Sequence, residues 1–180
     1  MTTPTPESER RLQTRLALVD DHIGMENRHD LEGIMRTFGT ASRYDEEPWD
    51  EHHVGRDAVR QYYDGLLRAM PDLAIDVRQR HAADTVVVVE VTISGSHLGP
   101  WRGLPATGRR VCFPLCGILT FDDQDRLAGE KIYYDRATVL RQLGLFHEPD
   151  GAAGRIETVL MHPFTVAQIV RGLVSSWRRR

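Results

Sequence analysis

Around Leu73 the apolar residues of this chain change their spacing, and the change separates a helical half from a strand half. Before it they recur every three or four positions, which puts them on one side of a helix. Residues 7–27 carry Leu12, Leu16, Val19 and Ile23 in this way. Asp30 is placed to cap a second short helix with Leu31, Ile34, Met35 and Phe38 on its apolar face. Asp57 is placed to cap a third over 58–69, with Val59, Tyr62, Tyr63 and Leu66 turned inward. A short strand is predicted at 41–46, broken by Pro48 and followed by an irregular loop. After Leu73 the period is two. "LAIDVRQRH", "DTVVVVEVTISGSHLG", "RRVCFPLCGILTFDD" and "LAGEKIYYD" read as strands between turn-forming stretches. "ATVLRQLGL" reads as a closing helix with Gly144 at its C-terminal cap. Pro114 predicts a sheet edge or a bulge, and Gly95 and Gly117 predict bends. Helices first and strands after predict an α+β fold: a curled antiparallel sheet forming a cone-shaped barrel, with three N-terminal helices over its cavity.

The length of 180 residues suits one domain. The expected layout is a disordered, Pro/Thr-rich start over 1–10, the cone over 11–146, and a linker with an amphipathic helical tail over 147–180. In that tail Ile156, Val159 and Leu160 precede a helix after Pro163 that bears Val166, Ile169, Val170, Leu173, Val174 and Trp177 and ends in Arg178, Arg179 and Arg180. It reads either as a helix well capped by its terminal arginines or as a segment that docks on a partner subunit, a pocket mouth or a membrane surface, with protein favoured. The net charge of −3 argues against nucleic acid, whose phosphates call for a basic surface. No run approaches the ~20 apolar residues of a membrane span, so stable membrane association is not expected. Cys112 and Cys116 lie four apart on one strand, roughly 13 Å, too far to bridge each other. With no signal peptide, they point to a reducing, cytoplasmic setting.

Several residues can carry chemistry. Tyr133 and Asp135 alternate onto one face of the last strand, at its junction with the closing helix. Asp135 is either the helix cap or, if that face lines a cavity, a carboxylate whose base strength burial raises. His97, at the end of a long strand, is either a structural histidine or a donor to a substrate oxygen, with Trp101 four residues on to wall the same cavity. Trp49, Tyr63 and Phe113 are further pocket candidates, and of the pair His52 and His53 the second is assigned to the pocket mouth. The histidine and cysteine spacings give no metal site. Glu130 falls on the opposite strand face from Asp135 and reads as a solvated partner for Arg126 or Lys131. No dinucleotide, P-loop or nucleophilic-serine motif is present, so no cofactor is called for.

These residues fall into a pattern. Gly95, Ser96, His97 and Gly99 form one stretch, and Gly103, Pro105, Thr107, Gly108 and Arg109 form a turn. Asp135 stands seven residues before Gln142, Leu143 and Gly144, and "GRDAVRQYYDGLLRAMPDLAIDV" supplies a third helix with its strand entry. The pattern, over about residues 12–146, resembles the SnoaL-like polyketide cyclases, or ester cyclases, of the nuclear transport factor 2-like superfamily. The resemblance implies a cofactor-free cone whose cyclases run an intramolecular aldol reaction with one Asp as acid/base. By position that role falls to Asp135, with His97 matching the pocket histidine. On this reading Asp135 removes a proton α to a carbonyl of a small hydrophobic substrate. His97 steadies the enolate oxygen, and Trp49, Trp101 and Phe113 hold a ring. The chain is expected to form a homodimer. Two alternatives stand beside this reading: an epoxide hydrolase or isomerase on the same fold, the hydrolase needing an Asp–Arg–Asp trio around a water that the sequence does not place beside Asp135, and a non-catalytic module for ligand binding or dimerisation.

Overall fold

A computed structural model describes residues 5–83, 85–148, 150–164, 166–169 and 171. The chain divides into two compact units, Met1–Leu143 and Gly144–Arg180. In the first, α1 (Pro6–Asn27), α2 (Leu31–Thr37) and α3 (Arg56–Ala69) alternate with β1 (Phe38–Glu46) and β2 (Glu51–Val54). Then follow β3 (Ala74–Ala83), β4 (Val86–Ser96), β5 (Arg110–Phe121), β6 (Leu127–Tyr134) and α4 (Arg136–Gln142). The second unit holds α5 (Ala152–Met161).

The α+β class stands, with two differences. The sheet is mixed, because β1 runs parallel to β6, and it is not closed: the strand order is β2-β1-β6-β5-β4-β3. The second strand comes from the segment read as irregular loop, where His52 and His53 pair with Asp45 and Tyr44 of β1. The start is also more ordered than composition suggests. Thr5 caps α1 through Ser8 N–H, and Pro6 fits the first turn because it has no N–H to lose there. Asp30 caps α2, accepting from Gly33 N–H at 2.8 Å. Asp57 does not cap α3: Gly55 holds that position, at φ +88°, and Asp57 lies inside the first turn. In the second unit α5 begins at Ala152, inside the stretch read as linker, and helical backbone continues at 163–164 and 166–169. Val170, Leu173, Val174, Trp177 and the terminal arginines lie outside the described residues.

Helical and strand periods meet in one core. Val19 and Ile23 of α1, Ile34 and Met35 of α2, and Val59 of α3 pack with Val87, Val89, Val91 and Ile93 of β4, Val111 and Leu119 of β5, and Ile132 of β6. Each such side chain, fully buried, contributes about 1.5–3 kcal/mol. Arg15 on α1 is buried, ion-paired to Asp125 at 2.7 Å with its guanidinium 5.0 Å from the Phe121 ring, and so joins the helix to the β5–β6 turn.

Two devices explain sequence features that pattern alone leaves unassigned. Pro114 sits in an interior strand, yet it lies one residue past the last β5–β6 pair, Leu115 with Tyr134, so β6 asks no ladder bond of it. Beyond that point Gln142 of α4 takes over the strand edge, accepting from Cys112 N–H at 2.6 Å and donating to its carbonyl at 2.8 Å. Asp72, at the entry to β3, accepts from both the backbone N–H and the hydroxyl of Ser96, at 2.6 and 2.8 Å.

Past Ser96 the chain lies flat on the end of α3. Leu98 and Gly99 both donate to Ala69 O, at 2.9 and 3.1 Å. A Cβ on Gly99 would overlap Arg68 O and stand 3.0 Å from its carbonyl carbon, and neither backbone atom can swing aside. Gly99→Ala is therefore expected to lower stability by about 1–3 kcal/mol, read as a drop in urea midpoint with an unchanged slope.

Candidate active site

Between the inner sheet face and the helices lies a cavity of about 80 Å³. A single water needs only ~10–15 Å³ on that measure. Its wall is mostly apolar: Ile23, Leu66, Met70, Val89, Val91, Ile93, Val111, Phe113, Leu115, Ile132 and Val139. Glu26, Glu46, Glu130, His97, Tyr44, Tyr62 and Tyr134 interrupt it.

One polar group gathers on His22, which is fully buried behind the wall. Its protons can be counted. The Thr37 hydroxyl donates to Ile34 O at 2.6 Å, so its oxygen accepts from His22 Nδ1 at 2.8 Å. The Tyr63 hydroxyl donates to Glu130 Oε2 at 2.7 Å, so its oxygen accepts from His22 Nε2 at 3.2 Å. Both ring nitrogens then carry hydrogen, which makes His22 an imidazolium. Its Nε2 lies 3.4 Å from Glu130 Oε2 and 3.8 Å from Glu26 Oε2. Burial opposes the charge, but the two carboxylates outweigh it and hold the His22 pKa above its ordinary value. Burial pushes Glu26 up, His22 pulls it back and Glu130 adds to the rise, leaving its pKa at about 7.

A second group surrounds Glu46, 1% exposed. The Tyr134 hydroxyl donates to Glu46 and accepts from Trp49 Nε1 at 2.6 Å. Arg102 ion-pairs with Glu46 and Glu51, its guanidinium 4.6 Å from the Trp49 ring and 4.9 Å from the Trp101 ring. Burial lifts the Glu46 pKa against the opposing pull of Tyr134 and Arg102. The Tyr44 and Tyr62 rings stack at 4.1 Å, with a hydroxyl–hydroxyl bond of 3.2 Å. His97, 2% exposed, completes the polar wall. Its ring lies 6.4 Å from Trp101, and its Nε2 has no hydrogen-bond partner among the described residues.

Of the residues chosen from sequence, His97, Trp101 and Phe113 line the cavity. Tyr63 and Trp49 stand one step behind the wall, bonded to Glu130 and Tyr134. His53 packs on Tyr62 at 4.8 Å outside the lining. Asp135 and Tyr133 are corrections. They do share a strand face, but the other face is the inner one: Glu130 and Ile132 turn inward opposite Leu119 and Gly117 of β5. Tyr133 is 44% exposed and the Asp135 side chain 61%. Asp135 caps α4 through Ala137 and Thr138 N–H, and its bond to Thr138 holds its pKa below the usual carboxylate value. Glu130 is a correction in the other direction. Lys131 pairs with Glu47 at 2.9 Å and Arg126 with the backbone of Arg36 and Phe38, while Glu130 faces the cavity.

Sequence reasoning missed His22, Glu26, Tyr44, Glu46, Arg102 and Tyr134. For the first two a signal exists: His22 and Glu26 continue the apolar row of Val19 and Ile23 at helical spacing. Glu130 was legible in the same way, since Ile132 marks its parity as inward. Arg102 sits at φ +51° in a turn, where periodicity gives no guidance.

The sequence pattern of the SnoaL-like polyketide cyclases matches residues 17–143, and the chain belongs to that family. Among solved structures, AclR from Streptomyces galilaeus, a proposed hydroxylase, aligns with a TM-score of 0.66 at 26% identity over 76% of this chain and 99% of its own. A proposed SnoaL-like polyketide cyclase from Jannaschia Sp. CCS1 aligns at 0.69, with 17% identity over 79% and 97%. SalBIII, an epoxide hydrolase/cyclase-like enzyme with a role in pyran ring formation in salinomycin, aligns at 0.60, with 17% identity over 69% and 92%. The last two speak to the fold alone. No curated protein matches the sequence. Family membership supports a function of the cyclase or isomerase type. Among the described residues no helix is long and apolar enough to cross a membrane.

The Glu26 shift has a consequence for stability. Its pKa rises from 4.5 unfolded to about 7 folded, so between those values the folded protein keeps a proton that the unfolded chain has lost. The contribution is whole below 4.5 and lost as pH rises through 7; His22, also raised, has the same sign above 6.5. Glu26→Gln removes the carboxyl titration. From pH 5 to 7.5 its urea-unfolding free energy is expected to fall less than the parent's, by up to about 3 kcal/mol.

Proposed function

We propose that the cavity moves a proton α to a carbonyl of a small hydrophobic, polyketide-like substrate and so cyclises or isomerises it without a cofactor. The observation that carries this reading is the placement of Glu26 and Glu130 on one wall of an apolar cavity, both served by His22. A carboxyl near pKa 7 can take and return a proton at neutral pH, the condition for efficient general acid–base work. Glu26 takes the α proton, leaving an enolate. His97 donates a hydrogen bond to the enolate oxygen, and Trp101 and Phe113 hold the ring. In a cyclisation the enolate carbon attacks a second carbonyl of the same molecule, and the new alkoxide takes its proton back from Glu26. Glu130 and His22 form the ion pair that fixes the local field. Asp135 stays outside the chemistry as the cap of α4.

The test follows deuterium uptake α to the carbonyl of a bicyclic aryl ketone in heavy water by NMR. Glu26→Gln and Glu130→Gln are expected to slow enzyme-dependent exchange at least about 100-fold, while Asp135→Asn stays within about twofold. Undiminished exchange in Glu26→Gln would sink the proposal. The reading includes a homodimer formed on the outer sheet face, where Cys112, Cys116 and Tyr133 lie; a sizing-column mass of one chain would contradict it.

A second reading has its own observation. Arg102 bridges Glu46 and Glu51, a Glu–Arg–Glu counterpart of the Asp–Arg–Asp trio expected of an epoxide hydrolase, built without Asp135. Here Glu46 draws a proton from an attacking water while the Tyr134 hydroxyl serves the opening epoxide oxygen. With a cyclic terpene epoxide in ¹⁸O water this reading predicts a labelled diol that Glu46→Gln abolishes; an absent diol contradicts it.

A further inference from the structure

The turn "GLPATGR" contributes no side chain to the acid–base chemistry above, yet one of its residues touches the oxyanion donor. Ser96 ends β4, and the chain returns at Arg110 to begin β5. The base of the intervening loop is closed by two backbone bonds, His97 N–H to Arg109 O and Gly108 N–H to His97 O, both at 2.9 Å. Gly108 takes φ +67°, which folds the loop back so that Thr107 meets the Nδ1 edge of the His97 ring.

Thr107 meets His97 Nδ1 twice. Its backbone N–H donates to Nδ1 at 3.3 Å, and its Oγ1 stands 3.1 Å from the same nitrogen. Oγ1 also accepts from Arg109 N–H at 3.3 Å, so its own hydrogen is free to point at Nδ1. A ring nitrogen that accepts from an N–H carries no hydrogen itself, and in the neutral imidazole the hydrogen then sits on Nε2. That Nε2 is buried without a partner among the described residues, on a side chain that lines the cavity. A buried donor left unpaired is costly, so a site that keeps one is built to give it to something.

From this we infer that Thr107 is a positioning residue: through its N–H and hydroxyl it fixes His97 in the Nε2–H tautomer, so that the cavity presents a hydrogen-bond donor to a carbonyl or enolate oxygen. The inference rests on the proposed role of His97 for its catalytic meaning, but the tautomer stands independently. It also gives the turn motif a reason. Thr supplies an N–H and a hydroxyl that share the single lone pair of Nδ1 in a three-centre bond. Gly108 then allows the backbone reversal, and the Arg109 N–H orients the hydroxyl.

The tautomer is read directly from ring ¹⁵N shifts of histidine-labelled protein at about pH 8.5, where an ordinary imidazole is neutral. His97→Gln identifies the signals. The expected result is an unprotonated Nδ1 and a protonated Nε2 in the parent. In Thr107→Val, which keeps shape and N–H but loses the hydroxyl, the signals should move toward the Nδ1–H form; Thr107→Ser should restore them. Deuterium exchange into the aryl ketone should fall about fivefold in kcat in Thr107→Val, with KM little changed, and recover in Thr107→Ser. A protonated Nδ1 in the parent, or ring shifts that Thr107→Val leaves unmoved, overturns the inference. Shifts that move as expected while His97→Gln exchanges at the parental rate uphold the tautomer lock and overturn the catalytic role of His97 instead.

Discussion

A carboxylate taken out of water must find a countercharge, hydrogen-bond donors or a proton. Three glutamates line the cavity of this protein, and they meet that demand in different ways. Glu46 is served by Arg102 and Tyr134. Glu130 is served by Tyr63 and the His22 imidazolium. Glu26 has His22 at 3.8 Å and a smaller pull from Tyr63, which do not offset its burial and the neighbouring Glu130, and it keeps a proton up to about pH 7. Most of the remaining wall is apolar, so these differences are not averaged away by solvent. Environment alone gives three chemically equal groups different partners, and leaves Glu26 as one that exchanges a proton in the physiological range.

The fold's job is to hold those partners still. His22 and Glu26 share a helix face, Tyr63 comes from α3, and Glu130 comes from β6, so the cluster forms only when helices and sheet are assembled. The loop between β4 and β5 brings the other polar wall. Gly99 lets it lie on α3, and Gly108 lets it turn back over His97. Gln142 of the closing helix bonds the β5 edge beyond the end of β6, and Asp135 starts that helix. Motif residues that look catalytic by spacing are thus divided between two tasks: some face the cavity, and others fasten the elements around it.

Much of this is legible in the sequence. The change of period at Leu73 gave the α+β class, and Asp30 and Gly144 marked their helix ends. Parity within β6 was the step that failed. Two polar residues, Tyr133 and Asp135, were assigned to the cavity, while Ile132 on the other face already marked which side was dry. A one-residue shift in a strand exchanges its two faces completely, so parity puts Glu130 on the cavity side and Asp135 outside it, whatever role position in the family pattern gives Asp135. The Arg102 group was out of reach for another reason. It joins β1, β2, β6 and a turn at positive φ, and no local pattern reports contacts across 51 to 88 positions of sequence.

The central claim is that the exchanging proton belongs to Glu26, within the cluster on His22. The pH dependence of enzyme-catalysed α-proton exchange tests it most directly. The rate should rise with pH through an inflection near 7, reporting the loss of the Glu26 proton, and Asp135→Asn should keep that inflection while Glu26→Gln loses it. An inflection near 7 that survives in Glu26→Gln, or disappears in Asp135→Asn, would contradict the account.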